Sequence, residues 1–282
     1  MEFCAGIVLF NPELERLRDN LLHISHQVNM LVLVDNGSQN LRSVKQLISE
    51  FSNITLLENG VNLGIAQALN RILHFAKENS FEWVLTLDQD SIADDGLMHQ
   101  YQAFLKMQAD SVHIGCLTCN IIDRNFEVAS KELGYAEIDY CITSGSLMNV
   151  DATLEIGGFD ESMFIDKVDC DICINLRKHN YKVIRIDYNG LLHEIGHAKQ
   201  ISLGFRKWEL YNHSSFRRYY MCRNASYLLR KYNDSYTLKL FVKECFQFVL
   251  VAVFEEDKKR KIGEGLRGFK DGFLAPIVGQ SK

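Results

Sequence analysis

The feature that most restricts this chain is the alternation of short apolar runs with amphipathic stretches over its first 90 residues. Ala5–Phe10, Met30–Val34, Ile54–Leu57 and Trp83–Leu87 are runs of the kind that suit strands covered on both faces. Between them, residues 40–51 have helical spacing. Asn62 to Lys77 place Ile65, Leu69, Ile72, Leu73 and Ala76 on one face of a 3.6-residue period. The order predicts β-α-β-α-β-α-β, an α/β fold whose mainly parallel sheet carries helices on both faces. Ligands on such sheets lie beyond the carboxyl ends of the strands. Two predicted strand ends carry carboxylates there: Asp35, and the pair Asp88 and Asp90.

The pattern then loosens. Val112–Cys119, Cys141–Val150 and Tyr181–Ile186 read as strands. Asp151 opens a short helix ending at Gly157-Gly158, and Asp169–His179 reads as helix. Beyond about residue 205 the pattern is helical only, over 214–232 and 236–256. Charge divides at the same place. Residues 1–205 carry 15 Lys/Arg against 28 Asp/Glu, and residues 206–282 carry 16 against 8, so a net charge of −5 conceals an acidic and a basic part. We therefore expect a ligand-binding domain over 1–205 and a basic helical region over 206–282 with different partners. The acidity of the larger part argues against a nucleic-acid binder. The longest apolar stretch, Phe248–Phe254, is far short of the roughly 20 residues a membrane span needs. The first residues read as a strand rather than a secretion signal, so the eight cysteines are expected as free thiols in the cytosol.

Several motifs bear on chemistry. Asp88-Gln89-Asp90 ends a buried strand, and alternation would point both carboxylates one way. A divalent cation such as Mg²⁺ or Mn²⁺ would relieve their repulsion, whereas the plain alternative is a solvated turn. Asp35-Asn36-Gly37-Ser38 and Asn62-Leu63-Gly64 are, by themselves, turn and helix-entry chemistry. Gly157-Gly158-Phe159-Asp160-Glu161 and Phe164-Ile165-Asp166-Lys167-Val168-Asp169-Cys170-Asp171 crowd carboxylates before a helix. Asp169 and Asp171 cannot share a helix face, so a cap and a general base are both open roles. His193-Glu194-Ile195-Gly196-His197 formally matches a zinc-protease signature, but Gly190 and Gly196 deny it a stable helix. A lone His193 reaching a metal or phosphate fits better. Cys116/Cys119 and Cys170/Cys173 mimic a zinc site, and buried free thiols are the simpler account. The basic region interleaves Phe216, Arg217, Arg218, Tyr219, Tyr220 and Arg223 with later apolar runs and Lys258–Lys261. That mixture suits an anionic membrane surface, or simply a helical subdomain with its bases in solvent.

These motifs occur in an order that resembles the family 2 glycosyltransferases of the GT-A fold, specifically bacterial rhamnosyltransferases of O-antigen and related surface polysaccharides. The resemblance rests on Phe10-Asn11, Asp35-Asn36-Gly37-Ser38, Asn62 through Asn70, Asp88-Gln89-Asp90-Ser91 and Thr143-Ser144-Gly145-Ser146. It continues through Gly157–Glu161, Phe164–Asp169, Leu192–Gly196 and His213–Asn224. It implies a GT-A Rossmann-like sheet with a C-terminal helical extension. It implies nucleotide contacts from Phe10, Asn11, Asp35, Asn62, Gly64 and Asp88, and a Mg²⁺ or Mn²⁺ site of Asp90, Asp88 and His193. Asp169 falls at the catalytic base. Ser144, Gly145, Asp166, Asp171 and Arg218 fall on the acceptor or sugar side. Val168 stands where relatives often carry Glu, which leaves Asp166 and Asp171 as rivals for the base. Gln39 stands where a carboxylate often follows the Asn-Gly-Ser turn. The implied reaction is inverting transfer of L-rhamnose from dTDP-rhamnose to a lipid-linked saccharide. It would take place at the inner face of the cytoplasmic membrane, on a cytoplasmic, peripheral enzyme. A UDP-hexose or UDP-galactofuranose donor is the nearest alternative, and paired carboxylates also suit a glycoside hydrolase.

Overall fold

The structure is a computed structural model, described here over residues 1–108, 113–123, 134–193, 199–203, 206–210 and 212–277. It divides into two units. The first comprises Met1–Glu161 and Asp169–Glu194, the second Ser162–Val168 and Ile195–Lys282. The expected boundary near residue 205 thus falls earlier. A short strap, Ser162–Val168, also groups with the C-terminal residues, which a contiguous reading misses.

The first unit runs β1 (Phe3–Leu9), α1 (Leu14–Ile24), β2 (Met30–Asp35), α2 (Leu41–Ile48), β3 (Ile54–Glu58), α3 (Ile65–Glu78) and β4 (Trp83–Asp88). It continues β5 (Ile92–Ala93), α4 (Leu97–Met107), β6 (Ile114–Asp123), β7 (Tyr135–Glu137), β8 (Ser146–Asn149), α5 (Val150–Glu155), α6 (Val168–Lys178) and β9 (Lys182–His193). One sheet has the order β3-β2-β1-β4-β8-β6-β9-β5, with β7 also on β9. The β3-β2-β1-β4 half is parallel, as the apolar runs predict. β8 enters antiparallel between β4 and β6. The unit is α/β with a mixed, mostly parallel sheet flanked by helices.

Local chemistry explains the elements. β1 is buried along nearly its whole length, and Gly6 leaves room for Ile72 of α3, whose side chain any Cβ would strike. Glu13 caps α1 by accepting from the amides of Glu15 and Arg16. Leu17, Leu21 and Ile24 of α1 share one apolar core with Ile7, Leu33, Leu85, Leu117 and Tyr101. Burial of this kind contributes about 25 cal/mol per Å² of apolar surface.

The second unit holds β10 (Lys199–Leu203) paired antiparallel with β11 (Arg206–Leu210), then α7 (Ser215–Tyr232), α8 (Ser235–Phe254) and α9 (Lys258–Leu274). The hairpin corrects the expectation of helix alone beyond residue 205. Ser214 caps α7 at its start, and Asn233 ends it in the left-handed region. Asp234 and Thr237 form a reciprocal capping box for α8. α7 and α9 approach backbone to backbone, because a Cβ at Gly268 or Gly272 would collide with the Tyr219 or Arg223 carbonyl. Among the described residues no helix is long and apolar enough to cross a membrane.

Candidate active site

Parallel pairing sets the ends of β2, β1 and β4 side by side, with Leu9 opposite Asp35 and Val8 opposite Asp88. The loops beyond them interlock through named side chains. The Phe10 amide donates to Gln89 Oε1 at 2.9 Å. The Asn11 amide donates to Ser38 Oγ at 2.8 Å, and the Gln39 amide returns to Asn11 Oδ1 at 2.8 Å. Position 39 therefore acts through its backbone. Asp35 is fully buried, and its Oδ2 accepts from the amides of Gly37 (2.9 Å) and Ser38 (3.0 Å). Its Oδ1 is buried with no hydrogen-bond partner among the described residues. A buried carboxylate oxygen left open is costly, and it suits an N–H donor on a ligand. Gly37 is required here: its φ is +83°, and a Cβ would sit 2.8 Å from the backbone of Val61.

By itself Asn36 reads as turn chemistry within the Asp35–Ser38 motif. The Asn36 side chain in fact donates to Gly64 O and accepts from Asn59 and the Leu63 amide. It thereby pins the 59–64 loop beside Asp35. Asn62 accepts from the Gly64 amide at 3.0 Å, and Gly64 takes φ +91° at the entry to α3. Phe10, Asn11, Asp35, Asn62, Gly64 and Asp88 all stand at this carboxyl-end rim.

Asp88, Asp90 and His193 each offer a ligand atom, all within 4.8 Å of one another. β4 ends at Asp88 and Asp90 stands in the turn after it, so the turn rather than strand alternation brings the carboxylates together. The partner from far along the chain is delivered by the sheet: β5 pairs with β9, Ile92 opposite Leu192, which brings His193 to Ser91. His193 Nδ1 lies 2.8 Å from Ser91 Oγ and 3.9 Å from Asp88 Oδ2. Ser144 Oγ donates to Ser91 Oγ at 2.8 Å and accepts from the Asp88 amide at 3.0 Å. Ser144 and Ser91 thus form a hydroxyl chain that ends on the His193 ring and holds it beside the two carboxylates. Two carboxylates and an imidazole form a donor set that fits Mg²⁺ or Mn²⁺.

Asp169 lies in the first turn of α6. Tyr140 Oη donates to its Oδ2 at 2.5 Å, and the Cys170 amide donates to its Oδ1 at 2.8 Å. Burial, and then the Asp169 charge, push the Tyr140 phenol up, so it remains a proton donor to the carboxylate. Asp171 is buried, unlike Asp169. The preceding loop is fixed by Asn70 of α3, which in sequence is only the last residue of a motif and which donates to Phe159 O and Glu161 and accepts from the Phe159 amide.

The residues expected on the acceptor side divide between the two units. Ser144 is buried beneath the Asp88–His193 pair, and the Gly145 carbonyl accepts from Tyr101. Asp166, in the second unit, is held by Arg217 through contacts of 2.9–3.2 Å. Arg218 is 2% exposed and bonded to Glu244, so it is an internal ion-pair partner rather than a ligand-facing cation. Of the zinc-protease pattern, Glu194 to His197 lie outside the described residues, and His193 ends a strand rather than lying on a helix. The cysteine pairs dissolve too. Cys116 meets Cys141 (3.6 Å), and Cys141 meets Cys173 (3.7 Å), while Cys119 neighbours Tyr101. All eight cysteines are free thiols.

Residues 6–162 match the family described as glycosyl transferase family 2. The chain is 26% identical to the dTDP-rhamnosyl transferase RfbF of Shigella flexneri, over 95% of this chain and 96% of that protein. Among solved structures, residues 1–349 of S. aureus TarS align with a TM-score of 0.64 at 14% identity, over 96% of this chain and 81% of that one. GalNAc-T7 with UDP, GalNAc and Mn²⁺ aligns with a TM-score of 0.64 at 12% identity, over 97% of this chain and 56% of that one. These structural likenesses establish the fold, which is GT-A.

Proposed function

The chain belongs to glycosyl transferase family 2, and on that premise we propose that it transfers L-rhamnose, with inversion, from dTDP-rhamnose to a lipid-linked saccharide. The acceptor class places the reaction in surface-polysaccharide (O-antigen) synthesis, at the inner face of the cytoplasmic membrane. The observation that carries the reading is the shared rim. A buried, open Asp35 oxygen stands at one strand end, and the Asp88, Asp90 and His193 donor set at another. The dTDP-rhamnosyl transferase of Shigella flexneri supports the choice of donor.

Each residue then has a task. Asp35 Oδ1 accepts the ring N–H of the pyrimidine. Backbone at Phe10 and Asn11 frames the base, and Asn62 and Gly64 close the nucleotide pocket. Asp88, Asp90 and His193 would hold the divalent cation. When bound, the cation supplies Lewis-acid stabilisation of the nucleoside diphosphate as it leaves. Asp169 accepts the acceptor hydroxyl's proton as that oxygen attacks the anomeric carbon, a role worth about 10²–10⁴-fold. Tyr140 orients the carboxylate by donating to its Oδ2. One displacement from the face opposite the leaving group inverts the configuration.

A UDP-sugar donor is a second reading, favoured by the likeness to TarS solved with UDP-GlcNAc. Thymine and uracil present the same N3–H to Asp35, so this contact does not separate them. A screen of nucleotide sugars against lipid-linked acceptors, with Mn²⁺ or Mg²⁺ present and linkage analysis of products, decides. Turnover of dTDP-rhamnose alone is expected. Turnover of a UDP-sugar with dTDP-rhamnose inert would replace the donor assignment.

A further inference from the structure

Helix α8 turns an apolar stripe outward. Leu238, Val242, Phe246, Val249 and Val253 are all exposed, Val242 at 57% and Val249 at 55%. At 100° per residue they fall within an arc of about 80°. The buried side of the same helix carries Thr237, Glu244 and Val251. A helix seated on a soluble core normally sends charge outward, so a continuous apolar stripe needs an occupant.

The charges around the stripe identify its chemistry. Lys239 and Lys243 are exposed and follow one edge of the arc. The single carboxylate of α8, Glu244, is turned inward, where Arg218 and Lys167 donate to it. Past the far end, exposed Phe254 precedes exposed Glu256 and Asp257, and α9 then opens with exposed Lys258, Lys259 and Arg260. The stripe's spacing of four, four, three and four residues also suits pairing with a second copy. Helix pairs, however, use opposite charges along their flanks. α8 offers lysines on its outer face and no carboxylate to meet them. An apolar stripe edged by lysines, on a helix too polar to span, is the physical description of a helix lying in the interface of an anionic bilayer. The lysine stems let their ammonium groups rise to the phosphates while the stripe enters the acyl boundary.

We propose that the outer face of α8 is the surface that seats this chain on an anionic lipid bilayer. The inference rests on the reading of a membrane-borne acceptor and deepens it by naming the surface. The test is co-sedimentation of the full chain with phosphatidylcholine vesicles, with and without phosphatidylglycerol, at low and high salt. The vesicles contain neither acceptor nor sugar nucleotide. Binding is expected to be stronger with phosphatidylglycerol than without it, and that excess weakens with salt. The double variant V242D/V249D should bind more than about tenfold less well. K239Q/K243Q should lose about fivefold per lysine. Both variants alter exposed positions, and should keep the wild-type melting temperature and transfer to a soluble acceptor. Vesicle binding unchanged in V242D/V249D overturns the proposal. So does a wild-type dimer, seen by light scattering, that this variant dissociates, because a second copy is then the occupant. An active enzyme that ignores vesicles removes this surface alone. A chain that binds vesicles but transfers no sugar removes the functional reading alone.

Discussion

Replacing Asn224 by Ala tests how α7 holds the strap that precedes, in the chain, the residue assigned as base. Asn224 is fully buried on α7, and its Nδ2 donates to the carbonyls of both Ile165 and Asp166 at 2.8 Å. These carbonyls belong to the strap, whose Asp166 and Lys167 adopt φ of 65° and 60° without being glycine. Each such residue costs of order 1 kcal/mol or more, and it persists only where its surroundings over-determine it. Here the determinants are Asn224, Arg217 on Asp166, and Glu244 on Lys167. Losing two hydrogen bonds to half-buried carbonyls, together with the packing of a buried side chain, amounts to about 2–4 kcal/mol. At about 2–4 °C per kcal/mol, the melting temperature should fall by roughly 4–16 °C. The strap runs directly into Asp169, so kcat should fall by about tenfold to a hundredfold, the scale of a misplaced catalytic group. Affinity for dTDP, measured by calorimetry, should stay within about twofold of wild type, because the Asp35 rim belongs to the first unit. The isosteric Asn224→Asp variant sharpens the test. It sets a carboxylate against two carbonyl oxygens and should be worse than Ala on both counts. A kcat retained in Asn224→Ala despite the lost stability would refute positioning through the strap. Wild-type behaviour in Asn224→Asp would refute the hydrogen bonds themselves.

The other predictions follow from the two strand-end sites and one histidine. Asp169→Asn should lower transfer by about 10²-fold or more while dTDP binding persists, and normal turnover would dismiss Asp169 as the base. Asp35→Asn keeps the turn but can present an amide N–H where a ring N–H approaches. Calorimetry should therefore show dTDP bound about 10- to 100-fold more weakly, and unchanged affinity would separate Asp35 from the nucleotide. Asp90→Asn, or chelation of the wild type, should abolish transfer, and added Mn²⁺ should rescue the chelated enzyme but not the variant. His213 has its pKa lowered, first by burial and then by Arg217. A histidine depressed in the folded state destabilises as it is forced to charge, so stability is intact above its ordinary value of 6.5 and is lost as pH falls through that value toward the folded one. Melts from pH 7.5 to 5 should show this loss diminished in His213→Gln, and identical pH curves would assign the loss elsewhere.

The strands and their carboxylate ends were legible because local signals encode them. A run such as Met30–Val34 can be stable only with both faces covered, and its end at Asp35 follows from the turn residues after it. The pairing of distant segments was not legible. Nothing local in Leu191–His193 announces that β9 lies against β5, yet that register brings His193 to Ser91. The internal partners of Ser144 and Arg218 were not legible for a related reason. A hydroxyl or guanidinium looks identical in sequence whether it faces a ligand or satisfies a buried neighbour, and only the sheet and helix contacts separate the two. Asn36 and Asn70 were visible only as members of longer motifs, without their bonding roles, because amides that knit loops together carry no spacing signature.

The basic C-terminal region shows the same limit on charge. Its excess of cations in sequence suggests a uniformly positive surface, but several of those cations are internal. Arg218 and Lys261 are buried against Glu244 and Glu255, and Lys231 is buried with its ammonium 5.4 Å from the Tyr232 ring centroid. Such groups contribute little to attraction at a distance, because their fields are answered by neighbours at close range. What remains outward on α8 is a pair of lysines beside an apolar stripe. Two lysines alone bind an anionic surface weakly, so any seating on lipid must draw most of its strength from the stripe. Neutralising Lys239 and Lys243 should therefore remove the salt dependence and the lipid preference, whereas breaking the stripe should remove binding at every salt concentration. If instead the lysine variant abolished binding outright while V242D/V249D kept it, attraction would be electrostatic alone and α8 would have no part in the acyl boundary.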